Sequence, residues 1–231
     1  MKKQKIVVLT GAGISAESGI ATFRGSGGLW EGHDIMEVAS PEGWKKNPKL
    51  VLNFYNLRRA DVVKAQPNDA HKALARLEEK YEVQIITQNI DNLHERGGSS
   101  NVLHLHGEIT KVRSTRYPEL IYDIGGKAIQ MGDLCDKGAQ LRPHIVWFGE
   151  AVPMMQEATF STYDADIFIV VGTSMVVYPA ASLIHYVEDS VPKYLIDPFI
   201  PESVYHIRNL TTIEEKATVG VTRLVERLLE K

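Results

Sequence analysis

Few features constrain a chain as much as an apolar strand that ends in a glycine-rich turn, and here Ile6-Val7-Val8-Leu9 runs through Thr10 into Gly11-Ala12-Gly13-Ile14-Ser15-Ala16. The apolar run reads as a buried strand. Gly11, Gly13 and Ala16 stand where a strand-turn-helix phosphate site needs small residues: for the tight turn, for close approach of backbone to a pyrophosphate, and for close packing of the following helix. The N-terminus of that helix would then face a phosphate. A plain strand, turn and helix without a ligand is the other reading of the same residues.

With 231 residues the chain suffices for one large domain, or for a large domain with a small insert, around a substantial core. A formal net charge of -3 gives no sign of a nucleic-acid or membrane partner, since phosphate binding shows as a basic face, so a small molecule or a peptide is the expected partner. The basic start Met1-Lys2-Lys3 precedes too short an apolar stretch for a secretory signal. No run approaches the roughly 18 apolar residues of a membrane span. Cys135 is the single cysteine, which excludes an intramolecular disulfide and a cysteine-rich zinc cluster and fits a reducing, cytoplasmic setting.

Residues 24–43 are rich in Gly and Ser and read as a long loop, a cover folded over something because Phe23, Leu29 and Trp30 are costly to leave wet. Residues 48–65 predict a helix, with Pro48 near its start and Leu50, Val51, Phe54 and Leu57 on an apolar stripe. Tyr55 and Arg58, three apart, share a face of it; taken alone they read more readily as a solvated Arg beside a Tyr at the core boundary. A second helix covers 71–79 and a strand 83–87. Next comes Gln88-Asn89-Ile90-Asp91-Asn92-Leu93-His94, a polar cluster at a strand's carboxyl end, where open α/β sheets place ligands, although Asn and Asp there could also cap the next helix.

Residues 102–108 predict a strand entering a turn, with His104 and His106 on one side of it. Metal ligation, catalysis and a structural role are all open for such a pair, but no Cys or carboxylate at ligand spacing supports a metal site. Residues 108–144 break the helix-strand rhythm with short β-prone pieces and glycines, as a small inserted module would. The rhythm resumes at Ile145 and continues with a helix around 154–160 and the most apolar strand, 166–171, which runs into a second small-residue turn, Gly172-Thr173-Ser174. A helix over 180–187, a strand over 193–197 and a terminal helix over 219–229 complete the expected elements.

Taken together, the turn Gly11 to Ser15, Thr22-Phe23-Arg24, Gln88-Asn89-Ile90-Asp91, Leu105-His106-Gly107-Glu108, Pro143 to Glu150, and Gly172-Thr173-Ser174 with Val177-Tyr178-Pro179 resemble the sirtuin family, the NAD-dependent protein lysine deacylases. The blocks follow the family's order over nearly the whole chain. The resemblance implies an α/β fold: a Rossmann-like, doubly wound parallel sheet from residues 1–28, 66–107 and 145–231, with a smaller inserted domain from 29–65 and 108–144. It implies NAD contacts at Gly11, Ala12, Gly13, Ile14, Ser15, Thr22, Phe23, Arg24, Trp30, Gln88, Asn89, Ile90, Asp91, Gly172, Thr173 and Ser174. On the adenosine side Asp197 stands in Leu195-Ile196-Asp197-Pro198 where many relatives carry Asn, so it is expected to hold the ribose, with a late backbone contact at Ala217.

The implied chemistry joins an acyl-lysine amide oxygen to the ribose carbon as nicotinamide leaves. His106 would be general base toward a ribose hydroxyl, with Asn89 and Asp91 ordering ribose, water and the nicotinamide pocket. Acylated proteins or peptides would lie along Val146, Phe148, Gly149, Glu150, Val177 and Tyr178. In this context Tyr55 and Arg58, with Ala39 leaving room upstream, look like the signature of sirtuins that remove succinyl and malonyl groups, because an Arg fork and a Tyr hydroxyl suit a carboxylate. An ADP-ribosyltransferase and a silent NAD-sensing module are the competing readings. Most relatives carry a four-cysteine zinc site, whereas here Arg113-Ser114-Thr115-Arg116-Tyr117 and a lone Cys135 occupy the ligand regions, so zinc is not expected. The module should instead be held by packing through Tyr117, Leu120, Ile121, Tyr122 and Leu141.

Overall fold

The structure is a computed structural model that describes residues 3–22, 29–30 and 32–230, Leu29 by its backbone alone. Its strands are β1 (Lys5–Thr10), β2 (Leu29–Trp30), β3 (His33–Asp34), β4 (Glu82–Thr87), β5 (Val102–His104), β6 (Gly107–Ser114), β7 (Ile121–Asp123), β8 (Leu141–Ile145), β9 (Ile167–Val171), β10 (Lys193–Ile196) and β11 (Leu210–Ile213). Its helices are α1 (Ile35–Val38), α2 (Pro41–Lys46), α3 (Pro48–Lys64), α4 (Asp69–Arg76), α5 (Leu93–Arg96), α6 (Met155–Tyr163) and α7 (Ala217–Glu230).

One sheet has the order β11-β10-β9-β1-β4-β5, every pairing parallel. The chain winds outward from β1 to β5 on one side, crosses back, and lays down β9 to β11 on the other. The resulting doubly wound, Rossmann-like sheet reverses direction between β1 and β9. Strand pleating sends Ile6 and Val8 into a core with Leu74, Leu77, Val221 and Leu224 of the α4–α7 face. Val7 and Leu9 go to the opposite core, with Ala158, Leu183 and Ile184. A strand covered on both faces has to be apolar throughout, which is why β1 and β9 are unbroken runs.

A second, antiparallel sheet has the order β7-β6-β8. It lies against α3 through Leu52, Val112 and Ile129, with Trp44, Tyr122, Ile124 and Leu141 around them. Asn56 of α3 clips it further: its amide donates to the Ile129 carbonyl at 2.8 Å and its oxygen accepts from Ile129 N–H at 3.1 Å.

The structure corrects several expectations. The turn after β1 leads into two short 3₁₀ turns, Ala12–Ile14 and Ala16–Ser18, and not into an α-helix, because Gly19 in the left-handed region (φ 85°) ends the winding. In the expected 24–43 loop, the described part is a β2–β3 hairpin followed by α1 and α2, each capped by a side chain, Asp34 or Ser40. Residues 180–187 wind as a 3₁₀ turn (Ala180–Tyr186), and β11 was not anticipated. Ile145 ends β8 in the small sheet, so the large-sheet rhythm resumes only at α6. Of the residues expected to hold the module, Tyr122 and Leu141 join the cluster; Ile121 is exposed, and Tyr117 is covered by the Lys137 ammonium, 4.4 Å from its ring. Among the described residues no helix is long and apolar enough to cross a membrane.

Candidate active site

Three loops leave the carboxyl ends of β1, β4 and β9 and are laced together by hydrogen bonds. Gly13 N–H donates to the Gly172 carbonyl at 2.8 Å, and a Cβ on Gly13 would fall 2.6 Å from Gly172 Cα, so the two small-residue turns touch backbone to backbone. From the β4 loop, the Asn89 amide donates to the Gly11 carbonyl (3.1 Å) and to Ser15 Oγ (3.2 Å). The Gln88 amide reaches Thr173 Oγ1 at 3.3 Å. Ser15 in turn donates to Asp91 Oδ2 at 3.1 Å, while Asp91 Oδ1 accepts from Leu93 N–H. The capping role and the site role read from the sequence therefore fall on one carboxylate. Burial pushes the Asp91 carboxyl up, opposed by those two bonds.

His104 and His106 separate cleanly. His106 lies past the end of β5, not within the strand as expected, and its Nδ1 sits 2.9 Å from the Gln88 carbonyl. A carbonyl can only accept, so Nδ1 carries the hydrogen and Nε2 keeps its lone pair; burial lowers the imidazole's pKa, against the Gln88 bond that raises it. An imidazole so held can accept a proton at Nε2. His104 has acceptors on both nitrogens, the Asn89 carbonyl at 3.0 Å and the Glu95 carboxylate at 2.7 Å. Burial lowers its pKa, but the Glu95 and Asn89 bonds win and raise it, so His104 is a charged clamp and not a metal ligand. Gly107, at φ 82°, makes the bend that follows, where a Cβ would collide with the His144 carbonyl.

That bend carries the chain into the small sheet and back. Val146 N–H donates to the His106 carbonyl and Phe148 N–H to the Ala39 carbonyl, each at 2.9 Å, so residues 146–148 bridge the His106 loop and the end of α1. Phe148 (42 %) and Tyr178 (68 %) are exposed, and Val177 is half-buried. The Glu150 carboxylate is engaged by Arg113 (3.1 Å), Arg142 (2.7 Å) and the Trp147 N–H (2.8 Å). Burial raises its pKa, yet those partners hold it below the usual carboxylate range.

Beside this segment Trp30, Ala39, Phe54, Tyr55, Ile109, Ile145 and Trp147 form one buried cluster, with Ile90 of the β4 loop packed on it. Arg58 lies in it, 8 % exposed, its guanidinium 4.6 Å from the Trp30 ring. Tyr55 accepts a hydrogen bond from Trp147 Nε1 at 3.1 Å, and burial drives its phenol pKa up. The expected same-face pair is thus a buried cation and a buried phenol in an apolar wall against Ile90 of the β4 loop.

Of the other expected residues, Thr22 is half-exposed, and Asp197, buried at the end of β10, accepts from Phe199 N–H at 2.8 Å. Ala217 opens α7, whose next N–H donates to Glu17. Phe23 and Arg24 lie outside the described residues. The donor set suits the NAD implied by the motifs: two backbone turns with Ser15 and Ser174 at the sheet's crossover can meet phosphates, and a carboxylate on the adjacent strand can meet ribose hydroxyls. Among the described residues no three His, Cys, Asp or Glu side chains are grouped to hold a metal.

Sequence reasoning missed Trp147, Arg142, His71 and His94. Trp147 lay inside a quoted motif, but an indole in an apolar run carries no outward sign of a donor role. His71 and His94 stack edge to face at 5.0 Å beneath the glycine turn, with His94 Nε2 3.0 Å from Thr10 Oγ1.

Comparison with known proteins converges on one family. The chain is 53 % identical over 227 residues to the NAD-dependent protein deacylase of Helicobacter pylori, covering 98 % of each. It superposes on the crystal structure of a Sir2 homolog–NAD complex with a TM-score of 0.89 at 40 % identity, over 99 % of this chain and 90 % of that one. A Sir2–p53 peptide–NAD+ complex matches with a TM-score of 0.79 at 30 % identity, over 99 % and 95 %. Residues 11–179 match the model of the Sir2 family, and with the crossover site already described the chain belongs to that family.

Proposed function

We propose an acidic-acyl preference, succinyl and malonyl over acetyl, for this NAD-dependent protein lysine deacylase. The observation that carries it is the buried pair Arg58 and Tyr55 beside the Gln88–Asp91 loop. An unpaired carboxylate in an apolar wall costs several kcal/mol, and a guanidinium fork with a phenol donor removes that cost. A hydrocarbon acyl chain has no group to offer either of them.

NAD, when bound, supplies an electrophilic ribose carbon with nicotinamide as leaving group. The chain's own residues do the rest. His106 takes a proton at Nε2, the atom left open by the Gln88 bond. Asn89 and Asp91, locked to Gly11, Ser15 and Leu93, fix the ribose and nicotinamide side, while Gly11–Ser15 and Gly172–Ser174 hold the phosphates and Asp197 the adenosine ribose. Acylated peptides lie along Val146–Glu150 and Val177–Tyr178, with the acyl group directed at Ala39, Tyr55 and Arg58. We infer also that the small sheet is held without zinc, through Val112, Ile129 and Asn56.

The test is kcat/KM for succinyl-, malonyl- and acetyl-lysine versions of one peptide. The wild type should favour the acidic groups, and Arg58→Met should cost desuccinylation about 2 to 4 kcal/mol more than deacetylation, the scale of breaking a buried charge pair. A wild type that prefers acetyl, or an equal fall in both activities, overturns the reading.

A further inference from the structure

Tyr55 has a single hydroxyl proton, and what that proton can do is decided by Trp147. An indole N–H is a donor only, so the 3.1 Å contact between Trp147 Nε1 and Tyr55 Oη uses an oxygen lone pair and leaves the phenol's own proton unspent. Among the described residues nothing accepts that proton, although the side chain is wholly buried. A buried donor without an acceptor is destabilising unless a ligand supplies one.

The indole is itself held with unusual care. The Arg142 guanidinium lies over its face, 3.2 Å from the ring centroid. Arg142 is fixed by Glu150 at 2.7 Å and by the Ile145 carbonyl at 2.9 Å, and the same Glu150 accepts the backbone N–H of Trp147 at 2.8 Å. Residues 142–150 therefore close on themselves around the ring. A cation on the face of an indole draws electron density from the ring and strengthens its N–H as a donor.

We propose that Trp147 is a positioning residue for acidic acyl groups: its N–H occupies the acceptor side of the Tyr55 phenol and so aims the phenol proton at the acyl carboxylate. Arg142 and Glu150 act through the ring, holding and polarising it. This rests on the acidic-acyl reading above.

The experiment is a double-mutant cycle on the ratio of desuccinylation to deacetylation kcat/KM, in wild type, Trp147→Phe, Tyr55→Phe and the double variant. Trp147→Phe keeps a ring under Arg142 but removes the N–H. The ratio should fall about 5-fold, the scale of one neutral hydrogen bond, mostly through KM for the succinyl peptide. In the Tyr55→Phe background the same change should move the ratio by less than about 2-fold, since no phenol remains to be aimed. Incorporation of 3-benzothienyl-alanine at position 147, which replaces the N–H by sulfur at nearly constant volume, should repeat the Trp147→Phe result and covers the case in which that variant does not fold. An equal loss of both activities, or the same ratio change with and without the phenol, shows a merely structural tryptophan and overturns the proposal. A succinyl preference that is lost in Tyr55→Phe yet kept when the N–H is removed overturns this inference alone. A wild type with no such preference overturns the underlying reading and this one with it.

Discussion

The loops at the carboxyl end of the six-stranded sheet and the wall built from α3 with residues 142–150 both bury polar side chains, by opposite means. At the sheet end uncharged polar groups are bonded largely to backbone: Asn89 to Gly11, His106 to Gln88, His71 to the Asn68 N–H of the α4 capping box. In the wall they are charged: Arg58, Arg59 and Arg142, the last of them paired with Glu150. Arg59 is fully buried yet bonds only the Ile109 carbonyl and Asn56 among the described residues. A base needs its lone pair and therefore a neutral resting state, whereas selection of an anion needs a cation already desolvated. On the proposed reading the two regions serve different tasks, and His104, turned to Glu95, shows that a histidine's neighbours and not its position in a motif decide its role.

The sheet end can be broken most severely through His106. His106→Ala should lower turnover by about 10²- to 10⁴-fold, the usual scale for a lost general base, while NAD affinity is largely kept. Nicotinamide release in the presence of an acylated peptide, beside calorimetric NAD binding, measures both. Because burial depresses this imidazole's pKa, the acid limb of the rate profile should lie below the ordinary histidine value near 6.5, and near-normal turnover in the variant would remove His106 from the role of base.

The contrast in charge state also predicts that the two regions respond to acid in different windows. His71 is pushed down to about 4 from 6.5, burial being the main cause. Between those values the unfolded chain binds a proton that the folded chain refuses, so stability falls as pH drops from 6.5 to 4, by about 3 kcal/mol at 1.36 kcal/mol per unit. His94, pushed well below 6.5 by full burial and by the neighbouring His71 and His104, adds to the same slope. Glu150, whose folded pKa lies below its ordinary 4.5, starts to lose its contribution only under pH 4.5. Urea midpoints at pH 6.5, 5.5 and 4.5 should therefore fall from step to step, with a shallower fall in His71→Asn. A midpoint unchanged down to pH 4.5 would mean that these histidines are not held neutral.

The difference between the regions also explains what could be read from the chain. Strand β9 is legible because a strand covered on both faces has no choice but Ile167-Phe168-Ile169-Val170-Val171, and Gly13 and Gly172 are legible because two turns in backbone contact admit no Cβ. Asn89, Asp91 and His106 are conspicuous as polar residues at strand ends. Other parts are not legible. Leu210-Thr211-Thr212-Ile213 becomes β11 only because β10 offers it an edge, and Ile121, which propensity places in a core, lies on the outer side of a three-stranded sheet. The Arg142–Glu150 and Trp147–Tyr55 pairs depend on loop closure and on contact across 92 residues, for which sequence spacing gives no rule.

The smallest expected effect is the one that sharpens the comparison most, since it asks whether the wall needs a metal at all. Cys135 is buried where β6 meets the Leu134–Gln140 bridge, and its thiol donates to Ser114 Oγ at 3.3 Å, while its N–H donates to the Ala139 carbonyl at 2.8 Å. A structural zinc site needs four ligands, typically thiolates or imidazoles, and no second cysteine exists to join this one. Without a metal the load would rest on Val112, Ile129 and Leu52, on Asn56, and on the Arg113–Glu150–Arg142 ion pairs. Cys135→Ser keeps the size and the donor, and should cost about 1 kcal/mol or less. Strong chelator should leave the melting temperature and the turnover where they were. About one zinc per chain by elemental analysis, or unfolding on chelation, would show that the small sheet is pinned by a metal and that its packing alone does not hold it against α3.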